Sequence, residues 1–453
     1  MKSKFLTIFI WLTYLGSYAY AQNNLDLELK IDSLVNPLVA TNNYSGTILV
    51  SKNGHTLFTK AYGKMNLDNS LENNYNTKFF LASLSMIFTS AAVLKLQEYG
   101  KLSIYDKLSK YYPEYNYGDS ITLHQMLAQR SGIPAIGYYG NIDYDSITKL
   151  PQTTESLISY FRDYDLLFSP NEKYYHGRSE YIMLANIIEK VSGKSFGGFL
   201  EDEIFNPLRM FQTKHFKSDN EIINDLATGY TPKDLYDVEP AKRINWTSKT
   251  GHASIYSTVG DLNKFGTAIL NNELLSPDSQ KKIFTNHGNQ VGYGWFIRPH
   301  LGRTRYQMNG KSPGYSSYFA IYPEDNLLII VLSNNFIPLP AQIGMTIAAM
   351  VFGEHFEILN TSYREVDFNY SKKLAGTYKF NKDFYVPNYE LKIKYNNGHL
   401  NCQWGDLIPI DNGEKNLRDF ILRTYWSSIH FIKDKSDEFV EMEFDEYIGV
   451  KIK

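Results

Sequence analysis

Two groups of strand-like segments, far apart in the chain, constrain the fold more than any other feature of the sequence. Residues Tyr44–Tyr62 alternate around an Asn53-Gly54 turn, and strand patterning returns only at Tyr293–Ser333. When strands at both ends of a domain enclose helices, they commonly pair in one sheet, so we predict an α+β fold with an antiparallel sheet flanked by helices. The clearest helical spacing between the two groups predicts helices at Ser83–Tyr99, Glu180–Val191 and Val259–Leu270.

The pattern changes near Val366, after a predicted helix around Pro340–Phe352. From there on the sequence has only short alternating runs, such as Leu391–Tyr395 and Glu438–Phe444, separated by Asn, Asp and Gly. We therefore predict a first domain over residues 22–365 with a mostly helical subdomain, followed by a small all-β domain over residues 366–453.

The first 21 residues have the layout of a secretory signal. Lys2 and Lys4 precede a mostly apolar run that ends near Tyr20, and the small residues Ala19 and Ala21 fit a cleavage site. This predicts export to a periplasmic or secreted location, with an uncleaved anchor as the alternative. The rest of the chain has no apolar segment long enough to span a membrane, so no span is expected in the mature protein.

Charge and cysteine content exclude several classes of function. The chain has 46 Lys and Arg against 48 Asp and Glu, which gives no electrostatic support for a nucleic-acid partner. The single cysteine, Cys402, cannot form an intramolecular disulfide or a thiolate metal cluster. The 10 histidines show no His-x-x-x-His spacing, so neither a metal nor a cofactor is expected.

Several segments between Tyr44 and Phe352 together resemble the serine β-lactamase and penicillin-binding-protein-like hydrolases, in the branch with class C β-lactamases, D-aminopeptidases and esterases. The resemblance implies a β-lactamase-like fold and cleavage of amides or esters through an acyl-serine. The segments that carry it are Ser45–Val50, Phe80–Ser83, Gln97–Ser103, Met126–Pro134, Tyr181–Gly193, Tyr256–Leu262, Tyr293–Trp295 and Pro313–Ser317.

The first family motif, Ser-x-x-Lys, places a nucleophile and a basic amine one helical turn apart. The matching residues here are Ser83 and Met86, so the nucleophile is present and the lysine is replaced by a thioether. The second motif, Tyr-x-Asn, aligns with His176 and Arg178. Tyr175, one residue earlier, could supply the tyrosine only if the loop were shifted locally.

The third family motif, Lys-Thr-Gly or His-x-Gly, lies on the strand that lines the site. It aligns with Met308, Asn309 and Gly310, which we assign with Lys311 to substrate binding. Because side chains alternate along a strand, the Lys311 side chain should point to the other face. The resemblance implies an oxyanion hole made by the backbone N–H groups of Ser83 and Lys311.

Loss of an ionisable group from all three motifs favours a pseudo-hydrolase that binds a small-molecule or peptide ligand of cell-wall type, or an envelope partner. The alternative is an active serine hydrolase in which His176 replaces the general base for Ser83 and Arg178 binds a substrate carboxylate. A third class is a glycan binder that uses the aromatic residues, which make up 15% of the chain. Met86 and Met308 could equally pack against each other as core residues. The sequence leaves the oligomeric state open.

Overall fold

The computed structural model describes residues 25–140, 142–358, 361, 368–410 and 417–452. The predicted signal at residues 1–21 lies outside these ranges. Among the described helices, none is long and apolar enough to cross a lipid bilayer.

The first domain is built on an antiparallel sheet. The strands of this domain, numbered along the chain, are β1 (Gly46–Lys52), β2 (His55–Tyr62), β3 (Lys64–Asn66), β4 (Leu71–Glu72), β5 (Phe79–Phe80), β6 (Lys214–His215), β7 (Tyr230–Pro232), β8 (Val238–Pro240), β9 (Ile255–Ser257), β10 (Phe296–His300), β11 (Arg303–Ser312), β12 (Tyr315–Tyr322) and β13 (Leu327–Ser333). Six of them form the main sheet in the order β10-β11-β12-β13-β1-β2. Gly46 lies opposite Ser333, so strands from the two ends of the domain pair as predicted.

The helices of this domain cover both faces of the main sheet and form the region between its two groups of strands. They are α1 (25–40), α2 (Met86–Glu98), α3 (Leu123–Leu127), α4 (Tyr144–Ile147), α5 (Thr154–Ser159), α6 (Ser179–Ser192), α7 (Phe196–Leu200), α8 (Val259–Leu270), α9 (Pro277–Ile283) and α10 (Leu339–Phe352). Observed and predicted bounds of α8 are identical. Helix α6 ends at Gly193, whose φ of +71° is the left-handed conformation that glycine adopts most easily.

Alternation along β1 and β13 separates two hydrophobic cores. Ile48 and Val50 pack with α1 and α10 on one face, whereas Leu49 packs with α2 and α8 on the other. Every residue of β13 is buried, which explains its unbroken apolar sequence. The main sheet is therefore a middle layer between helices, and the larger core holds α2 against it.

The C-terminal domain is a closed eight-stranded antiparallel barrel. Helix α11 (Phe368–Leu374) precedes it, a helix that the all-β expectation did not include. Tyr378 pairs with Lys451, so the first and last strands close the barrel, and side chains including Phe420 and Phe431 fill its interior. Its strands are β14 (Gly376–Phe380), β15 (Glu390–Asn396), β16 (His399–Cys402), β17 (Gly405–Pro409), β18 (Asp419–Leu422), β19 (Ser427–Lys433), β20 (Phe439–Phe444) and β21 (Tyr447–Lys451).

Arg423 joins the barrel to the first domain. Its side chain is fully buried, and its Nε donates to Asn43 Oδ1 at 2.8 Å. Its two terminal nitrogens donate to the backbone carbonyls of Asn42, Asp234 and Asp237. Burial lowers the pKa of Arg423 to about 10, which leaves the guanidinium charged at neutral pH. The two domains are thus linked by a buried charge as well as by the chain.

Candidate functional site

Ser83 lies in a 3-10 turn, Ala82–Ser85, directly before α2. Its neighbours in the turn are buried, whereas Ser83 itself is partly exposed. No residue in the described part of the chain forms a hydrogen bond with the Ser83 hydroxyl. The side chain at the nucleophile position therefore reaches solvent and touches no base there.

The backbone before Ser83 makes a strained turn that the sequence did not predict. Ala82 has a φ of +51°, a left-handed conformation that costs a non-glycine residue about 1–2 kcal/mol. Leu81, directly before Ala82, is fixed by two hydrogen bonds of its backbone. Its N–H donates to Ile255 O at 2.8 Å, and its carbonyl accepts from Ser317 Oγ at 2.7 Å. Strands β9 and β12 thus anchor the turn that presents Ser83, and such strain is common at functional sites.

The position of the family's lysine is apolar and closed. Met86 is 1% exposed, and its sulfur lies 4.0 Å from Gln129 Nε2. A thioether is only a weak hydrogen-bond acceptor, so it cannot take the hydroxyl proton of Ser83.

Gln129 connects this position with the second motif. Its Nε2 also donates to the Gly177 carbonyl at 2.8 Å, and its Oε1 lies 3.1 Å from His176 Nδ1 and 3.3 Å from the Tyr174 hydroxyl. Sequence reasoning missed Gln129, although it lies in the Met126–Pro134 segment of the resemblance. An uncharged amide gives no signal in a search for ionisable groups.

The contacts of Gln129 determine the tautomer of His176. The Gly177 carbonyl can only accept, so the amide nitrogen of Gln129 faces it and the amide oxygen faces His176 Nδ1. Nδ1 must then carry the proton, which leaves Nε2 with a free electron pair. Burial, together with the nearby Arg178 guanidinium, lowers the pKa of His176, although part of the residue remains open to solvent. His176 is therefore neutral at pH 7.

The side chain of Tyr175 does not take part in these contacts. Its ring packs edge-to-face against Tyr138 with 5.9 Å between centroids, and burial raises its pKa. It is Tyr174 whose hydroxyl lies 3.2 Å from His176 Nδ1. The side chains of residues 174 and 176 therefore face the Gln129 amide, whereas Tyr175 contacts Gln129 only through its backbone N–H, which donates to the Gln129 carbonyl at 3.0 Å.

Two cations lie beside the ring of Tyr144. The Arg178 guanidinium is 4.5 Å and the Lys249 ammonium 4.8 Å from the ring centroid, and Lys249 donates to the Tyr144 hydroxyl at 3.0 Å. Neither cation forms an ion pair with a carboxylate of the described residues. Burial lowers the pKa of the neighbouring His252, and the positive charges of Lys249 and Arg178 lower it further, so this histidine is neutral as well. The group is positively charged, and Lys249 was not anticipated from the sequence.

The third motif lies on β11. Met308 is buried in the same core as Met86, and Gly310 packs so closely that an added Cβ would lie 2.1 Å from the Leu81 carbonyl oxygen. Asn309 is exposed. These contacts bring the strand against the turn that carries Ser83.

Lys311 is assigned to substrate binding, but its ammonium lies at the junction with the barrel. It donates to the Thr424 carbonyl of the barrel at 2.7 Å and lies over the rings of Phe336 and Tyr425. Burial lowers its pKa to about 8. The side chain thus points to the domain junction, in line with the expectation from alternation along the strand, and the substrate-binding role assigned to Lys311 rests on its backbone N–H.

Comparisons with known proteins identify the family to which the first domain is similar. A family model described as Beta-lactamase matches residues 31–351. A penicillin-binding protein of Bacillus subtilis is 27% identical in an alignment 328 residues long, which covers 67% of this chain and 71% of that protein. The protein flp of Staphylococcus aureus is 27% identical in an alignment 331 residues long, which covers 68% of this chain and 63% of flp.

Solved structures share the fold. An octameric penicillin-binding protein homologue from Pyrococcus abyssi aligns with a TM-score of 0.66 at 24% identity, covering 93% of this chain and 99% of that one. A D-amino acid amidase from Ochrobactrum anthropi aligns with a TM-score of 0.63 at 17% identity, covering 72% of this chain and 99% of the amidase. Since 93% coverage requires most of the barrel, the first likeness extends over both domains.

Proposed function

This chain belongs to the beta-lactamase family, and we propose that it is a pseudo-hydrolase. It would use the family's site to bind a peptide, amide or ester ligand without cleaving it. One observation carries the proposal: no base in the described part of the chain contacts the Ser83 hydroxyl. A serine hydroxyl is a weak nucleophile unless a neighbouring group takes its proton. Met86, at the position of the family's lysine, and the Gln129 amide that contacts it cannot do so.

The charge of the site indicates the class of ligand. Arg178 and Lys249 lie beside Tyr144 without a carboxylate partner among the described residues. A ligand carboxylate that reaches both cations could accept charge-assisted hydrogen bonds from them. We therefore propose a ligand with a free carboxylate, such as a cell-wall peptide, bound by an exported protein in the periplasm or outside the cell.

The first test is covalent labelling. We expect no adduct when the purified protein is incubated with a fluorescent penicillin or a nitrophenyl ester, because acylation without a base is slower by many decades. Intact-mass spectrometry measures the adduct, and Ser83→Ala is the matched control. Stoichiometric labelling of Ser83 within minutes would refute the pseudo-hydrolase proposal.

The second test concerns the ligand. We expect N-acetyl-D-alanyl-D-alanine to bind, and Arg178→Ala or Lys249→Met to weaken binding by about 10–100-fold, since a hydrogen bond to a charged group contributes about 1.5–3 kcal/mol. Calorimetric titration measures the affinity, and the same peptide with a C-terminal amide should bind more weakly. Arg243→Ala, an exposed cation on the same segment, is the control. Equal affinity of the acid and the amide would refute a carboxylate site.

One observation favours the active alternative, namely the free electron pair on His176 Nε2 that follows from its contact with Gln129. A Ser83–His176 pair would give slow ester turnover that rises with pH, because only neutral imidazole accepts a proton. Since the pKa of His176 is lowered, the rise should come below the ordinary histidine range. Turnover with this profile, abolished by Ser83→Ala and by His176→Ala, would replace the binding proposal with a hydrolase.

A further inference from the structure

A histidine and two carboxylates meet where the barrel joins the first domain. His399 is on β16 and Asp406 on β17 of the barrel, whereas Asp234 lies in the turn between β7 and β8. His399 Nε2 is 2.8 Å from Asp406 Oδ1 and 3.5 Å from Asp234 Oδ1. His399 is buried, Asp406 is half-buried and Asp234 is exposed. Solvent can therefore reach the group from one side.

Both ring nitrogens of His399 face hydrogen-bond acceptors. Nδ1 lies 3.2 Å from the Asn397 carbonyl, and Nε2 faces the two carboxylates. A neutral imidazole has one N–H, so the free electron pair of the other nitrogen would point at an oxygen. The arrangement requires a positive group at Nε2, either a second proton or a metal ion.

A metal ion explains the nearness of Asp234, which a proton on His399 does not. A proton on Nε2 can be donated to Asp406 at 2.8 Å, but Asp234 at 3.5 Å is beyond a good hydrogen bond. A tetrahedral ion with bonds of about 2.1 Å holds its ligand atoms roughly 3.4 Å apart, which matches the separation from Asp234, whereas the contact with Asp406 would have to widen when the ion binds. The contact from Nδ1 to a backbone carbonyl is also the one that metal-binding histidines usually make with their second nitrogen.

The surrounding charge is negative. The carboxylates of Asp234, Asp237 and Asp406 all act on the Arg423 guanidinium. Arg423 and the Lys311 ammonium, which reaches the same junction, are two positive charges against these three negative ones, so an excess of negative charge remains that favours a bound cation. Imidazole and carboxylate ligands suit zinc and similar transition-metal ions.

We propose that Asp234, His399 and Asp406 bind a divalent transition-metal ion of the zinc class, which fastens the barrel to the first domain. Arg423 already binds the turn between β7 and β8 through the carbonyls of Asp234 and Asp237. The ion would bind the same turn to the barrel through side chains. No metal is expected from the sequence, because its histidines lack the close spacing of common ligand motifs. Here one ligand comes from a different domain, which spacing along the chain cannot reveal.

Calorimetric titration of zinc chloride into the chelator-treated full chain tests the site. We expect one ion per chain, with the affinity at least tenfold lower in Asp234→Asn and in His399→Ala. Asp234 is exposed, so its variant should fold even if the His399 variant does not. His430→Ala is the matched control: this barrel histidine pairs with Asp419 at 2.5 Å but belongs to no comparable three-residue group among the described residues, so its loss should leave zinc binding unchanged.

Two results would overturn the proposal. One is zinc binding that is unchanged in both Asp234→Asn and His399→Ala. The other is no zinc binding, together with a domain junction that loosens as the pH rises through the pKa of His399. Asp406 raises that pKa, so the stabilisation from a protonated His399 is present at low pH and is lost on titration to higher pH. Such a profile would identify a proton, and not a metal, as the group between the carboxylates.

Discussion

Replacing Gly310 by alanine should destabilise the first domain and displace the turn that carries Ser83. The added Cβ would lie 2.1 Å from the Leu81 carbonyl oxygen and 2.7 Å from Ser317 Oγ. Leu81 O is a backbone atom held by its hydrogen bond from Ser317, so it cannot rotate away as a flexible side chain could. Overpacking of this kind costs about 1–3 kcal/mol. Thermal unfolding measures the loss, and hydrogen exchange at residues 81–85 should accelerate.

Asn309→Ala is the control for this prediction. Asn309 neighbours Gly310 on the same strand but is exposed, so its truncation should change stability by less than about 0.5 kcal/mol. If Gly310→Ala were as stable as Asn309→Ala, β11 would not press against the Ser83 turn as described.

Replacing Arg423 by alanine should have the largest effect on the junction between the domains. The change removes hydrogen bonds to Asn43 Oδ1 and to the carbonyls of Asn42, Asp234 and Asp237. Each buried acceptor that is left without its donor costs about 1–3 kcal/mol. We expect calorimetry to resolve separate unfolding transitions for the two domains, and limited proteolysis to cut the connecting segment faster.

Two further variants serve as controls for Arg423→Ala. Lys392→Ala removes an exposed cation from the same barrel and should leave a wild-type unfolding profile. Arg423→Lys keeps the charge but loses the planar set of donors, so it should restore only part of the stability. Unfolding of Arg423→Ala in one transition at the wild-type temperature would contradict a structural role for this arginine.

Local signals in the sequence were sufficient for most of the fold. The Asn53-Gly54 turn, where both residues have positive φ, and the apolar run of β13 predicted the strands on which the main sheet is built. The closure of the barrel was not predicted, because alternation identifies a strand but not its partner. The pairing of Tyr378 with Lys451 joins opposite ends of the domain.

The candidate site could be predicted only where a motif gave a residue a chemical role. Ser83 and His176 were proposed in this way, and their roles stay predictions. Gln129 was not, because its importance comes from four contacts with residues on other segments. Lys249 was missed for the same reason, since its position beside Arg178 depends on how both segments pack around Tyr144.

The sequence by itself determined which chemical groups this protein can use. Methionine at positions 86 and 308 removes two basic groups whatever the surrounding structure, because a side chain's acid–base chemistry belongs to the residue. Tertiary structure alone decided how the remaining groups act: the tautomer of His176, the contact of the Lys311 ammonium with the Thr424 carbonyl and the meeting of Asp234 with His399. The physical reason is that hydrogen bonds and ion contacts act over a few ångströms, and only packing brings residues from distant parts of the chain that close together.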